Sequence, residues 1–154
     1  LTASGQPPRQ LRLVFSGRAP EVMPEVAAVA EFLQAAGCSA DCVQKLELVT
    51  EEILTNVARF AWTEAAAGQC SLDVEARAQD GVIEVTLRTE DDGVAFDPTG
   101  VAEPDLDAPL EARTIGGLGL VMIRKFTDRQ TYHRAASRNV FVVTKRCAPA
   151  QPVS

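Results

Sequence analysis

The sequence predicts a two-layer α/β sandwich, with helices on one face of a mixed β-sheet. Two long amphipathic helical stripes near the start, alternating apolar and polar runs further on, and the element order β-α-α-β-β-loop-α-β-β carry that expectation. The chain has 154 residues, enough to bury the core of one domain. With 46% hydrophobic and 23% charged residues, it has an ordinary globular balance rather than a disordered one.

Residues Gln10 to Ser16 alternate as a strand does. After Pro20, the positions Val22, Val26, Val29, Ala30 and Leu33 form an apolar helical stripe that ends at Gly37. Ser39 and Asp41 are N-cap candidates for a second helix, running to about Trp62 with Val43, Leu46, Val49, Ile53, Val57 and Phe60 as its apolar face. Gly68 ends that element. Two strands are expected at about Cys70 to Ala78 and Val82 to Thr89, joined by an Asp80-Gly81 hairpin turn. Ile83, Val85 and Leu87 alternate with Glu84, Thr86 and Arg88, as on a sheet with one buried face. Asp97 to Ile115 is rich in proline and poor in large apolar residues, which reads as a lid. A short helix from Gly117 to about Phe126 follows, then strands near Arg129 to Arg134 and Asn139 to Lys145. Residues 1–9 are expected to be a disordered lead, 10–146 one domain, and 147–154 a frayed tail.

A formal charge of −6 argues against a nucleic-acid partner. No signal-peptide pattern or membrane-spanning run is expected. The chain opens on Leu1 rather than Met, so a trimmed or partial chain is expected. Cys38, Cys42, Cys70 and Cys147 are read as reduced structural residues, because no partner pair of ligands completes a zinc pattern and His133 is the only histidine.

Three segments carry chemistry. In the first, Glu52 and Asn56 share a helix face adjoined by Arg59, a stripe read as roughly opposite the Val49/Ile53/Val57 stripe. A carboxylate, an amide oxygen and a guanidinium there suit a base, a Mg²⁺ ligand and a phosphate contact, although a solvated face would look the same. In the second, Asp91-Asp92-Gly93 follows a strand. Asp91 can accept from an exocyclic amine and Gly93 admits close backbone approach, yet a plain Asp-Gly turn fits equally. In the third, Gly116-Gly117-Leu118-Gly119-Leu120 opens a helix whose amides could face phosphate; a simple hinge is the alternative. The glycines fit neither the Rossmann fingerprint nor a P-loop.

In order and spacing these segments resemble the GHKL (Bergerat-fold, histidine-kinase-like) ATPases. The nearest wording is that of the anti-sigma-factor serine-protein kinases. The resemblance rests on Glu-Ile-Leu-Thr-Asn at 52–56, Asp-Asp-Gly-Val-Ala-Phe-Asp-Pro at 91–98, Gly-Gly-Leu-Gly-Leu-Val-Met-Ile-Arg-Lys at 116–125, and the strand Asn139 to Lys145. It implies that Asn56 holds Mg²⁺ on ATP, Asp91 reads the adenine amino group, and Gly93 shapes the adenine pocket. It further implies that Gly117, Leu118, Gly119 and Leu120 present backbone to the phosphates, that Arg59 touches phosphate, and that Glu52 is the general base. Two positions depart from the pattern: Phe60 stands where many members have His, and Arg138-Asn139 where many have Gly-Thr, leaving Asn139 as the adenine-side candidate. The implied function is that of an ATP-dependent serine kinase and anti-sigma factor in the cytoplasm, acting on a STAS-domain anti-anti-sigma partner, competing with a sigma factor, and forming a homodimer. The alternative is an ATP-sensing partner-switch module without kinase turnover. A sensor histidine kinase domain is disfavoured, since no phospho-acceptor helix pair is seen upstream.

Overall fold

The computed structural model describes residues 6–62, 68–100 and 117–152. The first strand, β1 (Arg9–Phe15), leads through a 3₁₀ turn (Ala19–Glu21) into α1 (Val22–Ala35). All five stripe residues of α1 are buried. The helix stops at Gly37, whose φ of +88° suits glycine; its amide donates to Gln34 O at 3.0 Å and the Cys38 amide to Leu33 O at 3.1 Å. That pair of bonds is a Schellman stop, and it satisfies carbonyls that the last turn would otherwise leave open. Two residues later Ser39 starts α2 (Ala40–Phe60), its hydroxyl accepting from the Cys42 amide at 3.3 Å.

Strands β2 (Cys70–Gln79) and β3 (Val82–Asp91) form the expected hairpin. Asp80 and Gly81 both have positive φ, 53° and 77°, the conformation a two-residue turn between twisted strands requires. Then come α3 (Gly117–Phe126), β4 (Arg129–Ala135) and β5 (Arg138–Cys147). The strand order is β1-β2-β3-β5-β4. Every neighbouring pair is antiparallel, so the sheet is antiparallel rather than the mixed sheet expected. The reason is topological: β3-α3-β4 is a crossover between strands of the same direction, and β5 inserts between them.

The core lies between the helices and one sheet face. Leu72 and Val74 of β2, Ile83, Val85 and Leu87 of β3, and Phe141 and Val143 of β5 pack there with Leu33, Leu46 and Leu54 of α1 and α2. The other face carries charge, with Arg12–Asp73 at 3.1 Å, Arg88–Glu90 at 3.0 Å and Arg138–Glu90 at 2.9 Å.

Two expectations fail at the C-terminal end. The tail is not frayed through Ala150: Ser39 N donates to Ala148 O at 3.0 Å, and Ala150 N to Gly37 O at 2.7 Å, which ties the strap to the α1–α2 junction. Nor are all four cysteines reduced, since Cys42 and Cys147 form a disulfide while Cys38 and Cys70 remain free. No helix among the described residues is long and apolar enough to cross a membrane.

Candidate functional site

The helical layer and the end of the sheet leave a recess of about 480 Å³, part of it open to solvent, between α2, α3 and the ends of β3 and β5. Its walls are apolar, from Ile53, Val57, Phe60, Phe96, Ile123 and Phe141, and its polar side chains include Asn56, Asp91 and Asn139.

Strand alternation explains why Asp91 is there. Ile83, Val85, Leu87, Thr89 and Asp91 share the core-facing side of β3, so the last position of that row carries a carboxylate into the apolar layer. Asn139 is its direct partner across the β3–β5 ladder. Both are buried, at 6% and 5% exposure, which for a carboxylate demands partners. Asp91 Oδ1 accepts from the Gly93 amide at 2.9 Å and from Asn139 Nδ2 at 2.9 Å. The bonds to Asp91 among the described residues both fall on Oδ1, so Oδ2 keeps its acceptor capacity, and Asp91 lines the recess. Asn139 is itself fixed: Nδ2 also reaches Val94 O at 2.8 Å, and Oδ1 accepts from Tyr132 Oη at 2.6 Å and from Arg134 at 2.9 Å. Arg134 bonds Gly93 O as well, at 3.1 Å. Gly93 sits so close to α2 that a Cβ there would overlap the Ala61 carbonyl, and the Val94 amide donates to that same carbonyl at 2.7 Å. The neighbouring Asp92 accepts from the Trp62 indole at 2.8 Å, a bond that holds its carboxyl below the usual range.

On α2, Asn56 lines the recess together with Ile53 and Val57. The polar stripe is therefore beside the apolar stripe and not opposite it. At 3.6 residues per turn, Asn56 is one residue, about 100°, from Val57 and closer still to Ile53. Glu52 is half-buried one turn earlier and faces the start of α3: a Cβ on Gly119 would overlap its carboxylate. Burial raises the Glu52 pKa from 4.5, the nearby Glu51 charge raises it further, and Arg59 opposes both. Arg59 is exposed and does not line the recess.

The third segment begins α3 at Gly117, as expected, with no acidic residue in its first turn. Leu120 is buried and lines the recess. Gly116 and residues 101–115 of the expected lid lie outside the described residues, as do the side-chain surroundings of Gly117 and Leu118. The structure thus brings Asn56, Asp91, Leu120 and Asn139 to one recess, with Glu52 and Gly119 meeting at the α2–α3 contact and Gly93 beneath Asp91.

Several residues of the site are not marked by the sequence motifs. Phe60, a departure from the family pattern, stacks on Phe96 with centroids 6.2 Å apart and rings inclined by 29°. Tyr132 and Arg134 orient Asn139 from β4, and Trp62 anchors Asp92. Asp91 and Asn139 are each named by the motifs, and continuing the β3 alternation to Asp91 and the β5 alternation back to Asn139 puts both on the core-facing side of the sheet. Nothing local marks Tyr132 or Arg134, which depend on strand pairing.

The profile of the histidine kinase-like ATPase domain matches residues 18–145. Among known proteins, the serine/threonine-protein kinase BtrW of Bordetella bronchiseptica is 31% identical over 104 residues, covering 68% of this chain and 70% of that protein. Among solved structures, the RsbU and RsbW domains of Rv1364c from Mycobacterium tuberculosis match with a TM-score of 0.61 at 16% identity. That match covers 97% of this chain and 35% of the other, and it bears on the fold alone.

Proposed function

The chain belongs to the histidine kinase-like ATPase domain family, and from that premise we propose that it is an ATP-dependent serine-protein kinase and anti-sigma factor. Its substrate in this reading is a serine of a small STAS-domain anti-anti-sigma protein, its competing partner is a sigma factor, and it works in the cytoplasm as a homodimer. The kinase description of its Bordetella relative supports the reaction class. The observation that carries the reading is Asp91: a buried carboxylate lining an apolar recess, with one oxygen accepting from Gly93 and Asn139 and no bond to the other among the described residues.

Each residue has a task in this reading. Asp91 Oδ2 accepts from the adenine amino group, a discrimination that works because an unmatched buried acceptor is costly. Asn139 and Gly93 hold that carboxylate in place, and the Phe60–Phe96 pair gives the base an apolar wall. The side-chain oxygen of Asn56 fits the ligand chemistry of Mg²⁺, which would supply charge neutralisation at the phosphates when bound. Asn56 is the residue proposed to ligate it. Amides of Gly117, Leu118, Gly119 and Leu120 at the start of α3 offer donors and a positive helix end to phosphate; the exposed Arg59, which does not line the recess, is proposed as a further phosphate contact. Glu52 accepts the proton of the attacking serine hydroxyl.

The test is radiolabel transfer from ATP to the cognate STAS protein, run beside calorimetric ATP titration. Phosphoserine formation dependent on Glu52 supports the kinase. ATP binding and partner exchange without transfer to any bound partner would leave an ATP-sensing switch module instead.

A further inference from the structure

Cys38, Cys42 and Cys147 reach one point from three places: the α1–α2 connection, the first turn of α2, and the last residue of β5. Their sulfurs all lie within 4.8 Å of one another, and all three residues are buried. Two of them are joined across 105 residues, and the third keeps its thiol beside them. Cys70 gives the contrast. It is fully buried in β2, outside this sulfur cluster, and behaves as a small apolar side chain, with burial pushing its thiol up to about 12. A lone buried cysteine such as this needs no ligand to explain it, whereas three converging sulfurs are a ligand set.

We propose that, with the disulfide opened, Cys38, Cys42 and Cys147 form a three-thiolate site for a thiophilic d¹⁰ cation, Zn²⁺ or Cu⁺. Softness selects those ions, because sulfur-only sites disfavour Mg²⁺ and Ca²⁺. Cys38 and Cys42 are separated as C-x₃-C, inside the usual ligand spacing. Metal–sulfur bonds of about 2.3 Å place ligand sulfurs roughly 4 Å apart, so once the disulfide opens the Cys42 and Cys147 sulfurs must part by about 2 Å, while Cys38 already lies within 4.8 Å of both. Cys42 is the third residue of α2, so the positive end of that helix offsets thiolate charge. Ser39 already caps the Cys42 amide, so the sulfur is not needed for capping. Cys38 is bridge-paired with Pro149 in the strap 148–150, whose residues are exposed. Two hydrogen bonds hold that strap to the α1–α2 junction, and opening them gives an ion access.

The chemistry balances with a dithiol as reductant. The dithiol gives two electrons and two protons to the Cys42–Cys147 bond and becomes a cyclic disulfide. Binding then releases three protons, one from each thiol, leaving a net charge of −1 with Zn²⁺ or −2 with Cu⁺. On Zn²⁺ a water takes the fourth position, as three-ligand zinc sites allow. Either ion replaces a two-point link between α2 and β5 with a three-point one that also includes the α1–α2 connection. The inference is independent of what the nucleotide recess does.

The whole chain, reduced with a dithiol under anaerobic conditions and desalted, is titrated in two arms: Zn²⁺ against a chromophoric zinc chelator, and Cu⁺ against a bicinchoninate chelator. One ion per chain is expected to be withheld from the chelator in at least one arm, and the arms identify which ion. Cys38→Ser, Cys42→Ser and Cys147→Ser are each expected to weaken it by at least about a hundredfold, the upper range for disturbing a mere supporting contact. Cys70→Ser should bind as wild type. X-ray absorption of loaded wild-type protein guards against misfolded variants, with three sulfur neighbours expected at roughly 2.3 Å. No stoichiometric retention in either arm, a sulfur count of two or fewer, or equal loss in Cys70→Ser would overturn the site.

Discussion

Asp91 and Glu52 are both carboxylates near one recess, but their surroundings assign them different work. Asp91 is locked by an amide and an amide side chain, and its value to a ligand lies in one unshared oxygen. Asp91→Asn replaces that acceptor by a group that can donate, so ATP affinity should fall by about 1.5–3 kcal/mol in a calorimetric titration. Unchanged affinity would remove the adenine assignment. Asn139→Ala should lower ATP affinity in the same direction, because Asp91 loses its donor. Glu52 has the opposite signature, since burial and Glu51 disfavour its ionised form. A base must be ionised to act, so the acid limb of the transfer rate should lie above the ordinary value of 4.5. Glu51→Gln removes one raising charge and should move that limb down while leaving ATP binding intact. Stability runs the other way: the raised pKa favours the fold below the unfolded value and loses that contribution as pH rises through the folded one. Glu52→Ala should slow transfer by about a hundred- to ten-thousand-fold with ATP binding nearly intact, measured by the same radiolabel assay. Of these roles, the residue types and their spacing were visible in the chain, whereas the orienting contacts from Tyr132, Arg134 and Trp62 were not. They come from strands and loops far apart in sequence, and only pairing brings them together.

At the scale of elements, what was legible is what is local. The Ser39 cap, the Gly37 stop, the Asp80-Gly81 turn and the helical stripes each depend on a few neighbouring residues, and each is where the periodicity puts it. What local reading lost was the angle between the two stripes of α2, which needs the helix placed against a partner, and the insertion of β5 beside β3. Two close approaches to α2, at Gly93 after β3 and at Gly119 in α3, offer a separation of packing from chemistry. At Gly93 a methyl would meet the rigid Ala61 backbone, so Gly93→Ala should lower stability by about 1–3 kcal/mol in denaturant unfolding. At Gly119 the same methyl meets the flexible end of Glu52, and the helix gains a better former. Gly119→Ala should therefore leave the unfolding midpoint unchanged or raised, while phosphate transfer falls because Glu52 must turn away. A midpoint that drops in Gly119→Ala as it does in Gly93→Ala would show that the close approach is structural.

The molecule as a whole is held by its helix-facing core, with the charged outer face of the sheet contributing little, since exposed ion pairs are worth about 0–1 kcal/mol each. The Cys42–Cys147 link contributes more than any of those pairs. It joins residues 105 apart in the chain, and opening it with a dithiol in the presence of a metal chelator should cost roughly 2–4 kcal/mol, read from urea unfolding. Reduction without effect would place the covalent link outside the stability of the fold.

The position of β5 has a bearing on how the protein is made. The last strand of this domain to leave the ribosome is not an edge of the sheet but the one between β3 and β4. Until it arrives, both of those strands present bare edges to the crowded nascent environment, and Asp91 has no Asn139 to hold it. Nucleotide can therefore not help a growing chain to fold. A stalled product ending after β4 is expected to be captured by chaperones rather than by ATP, and emergence of the ten residues of β5 is the event that joins β4 to the sheet and completes the pocket.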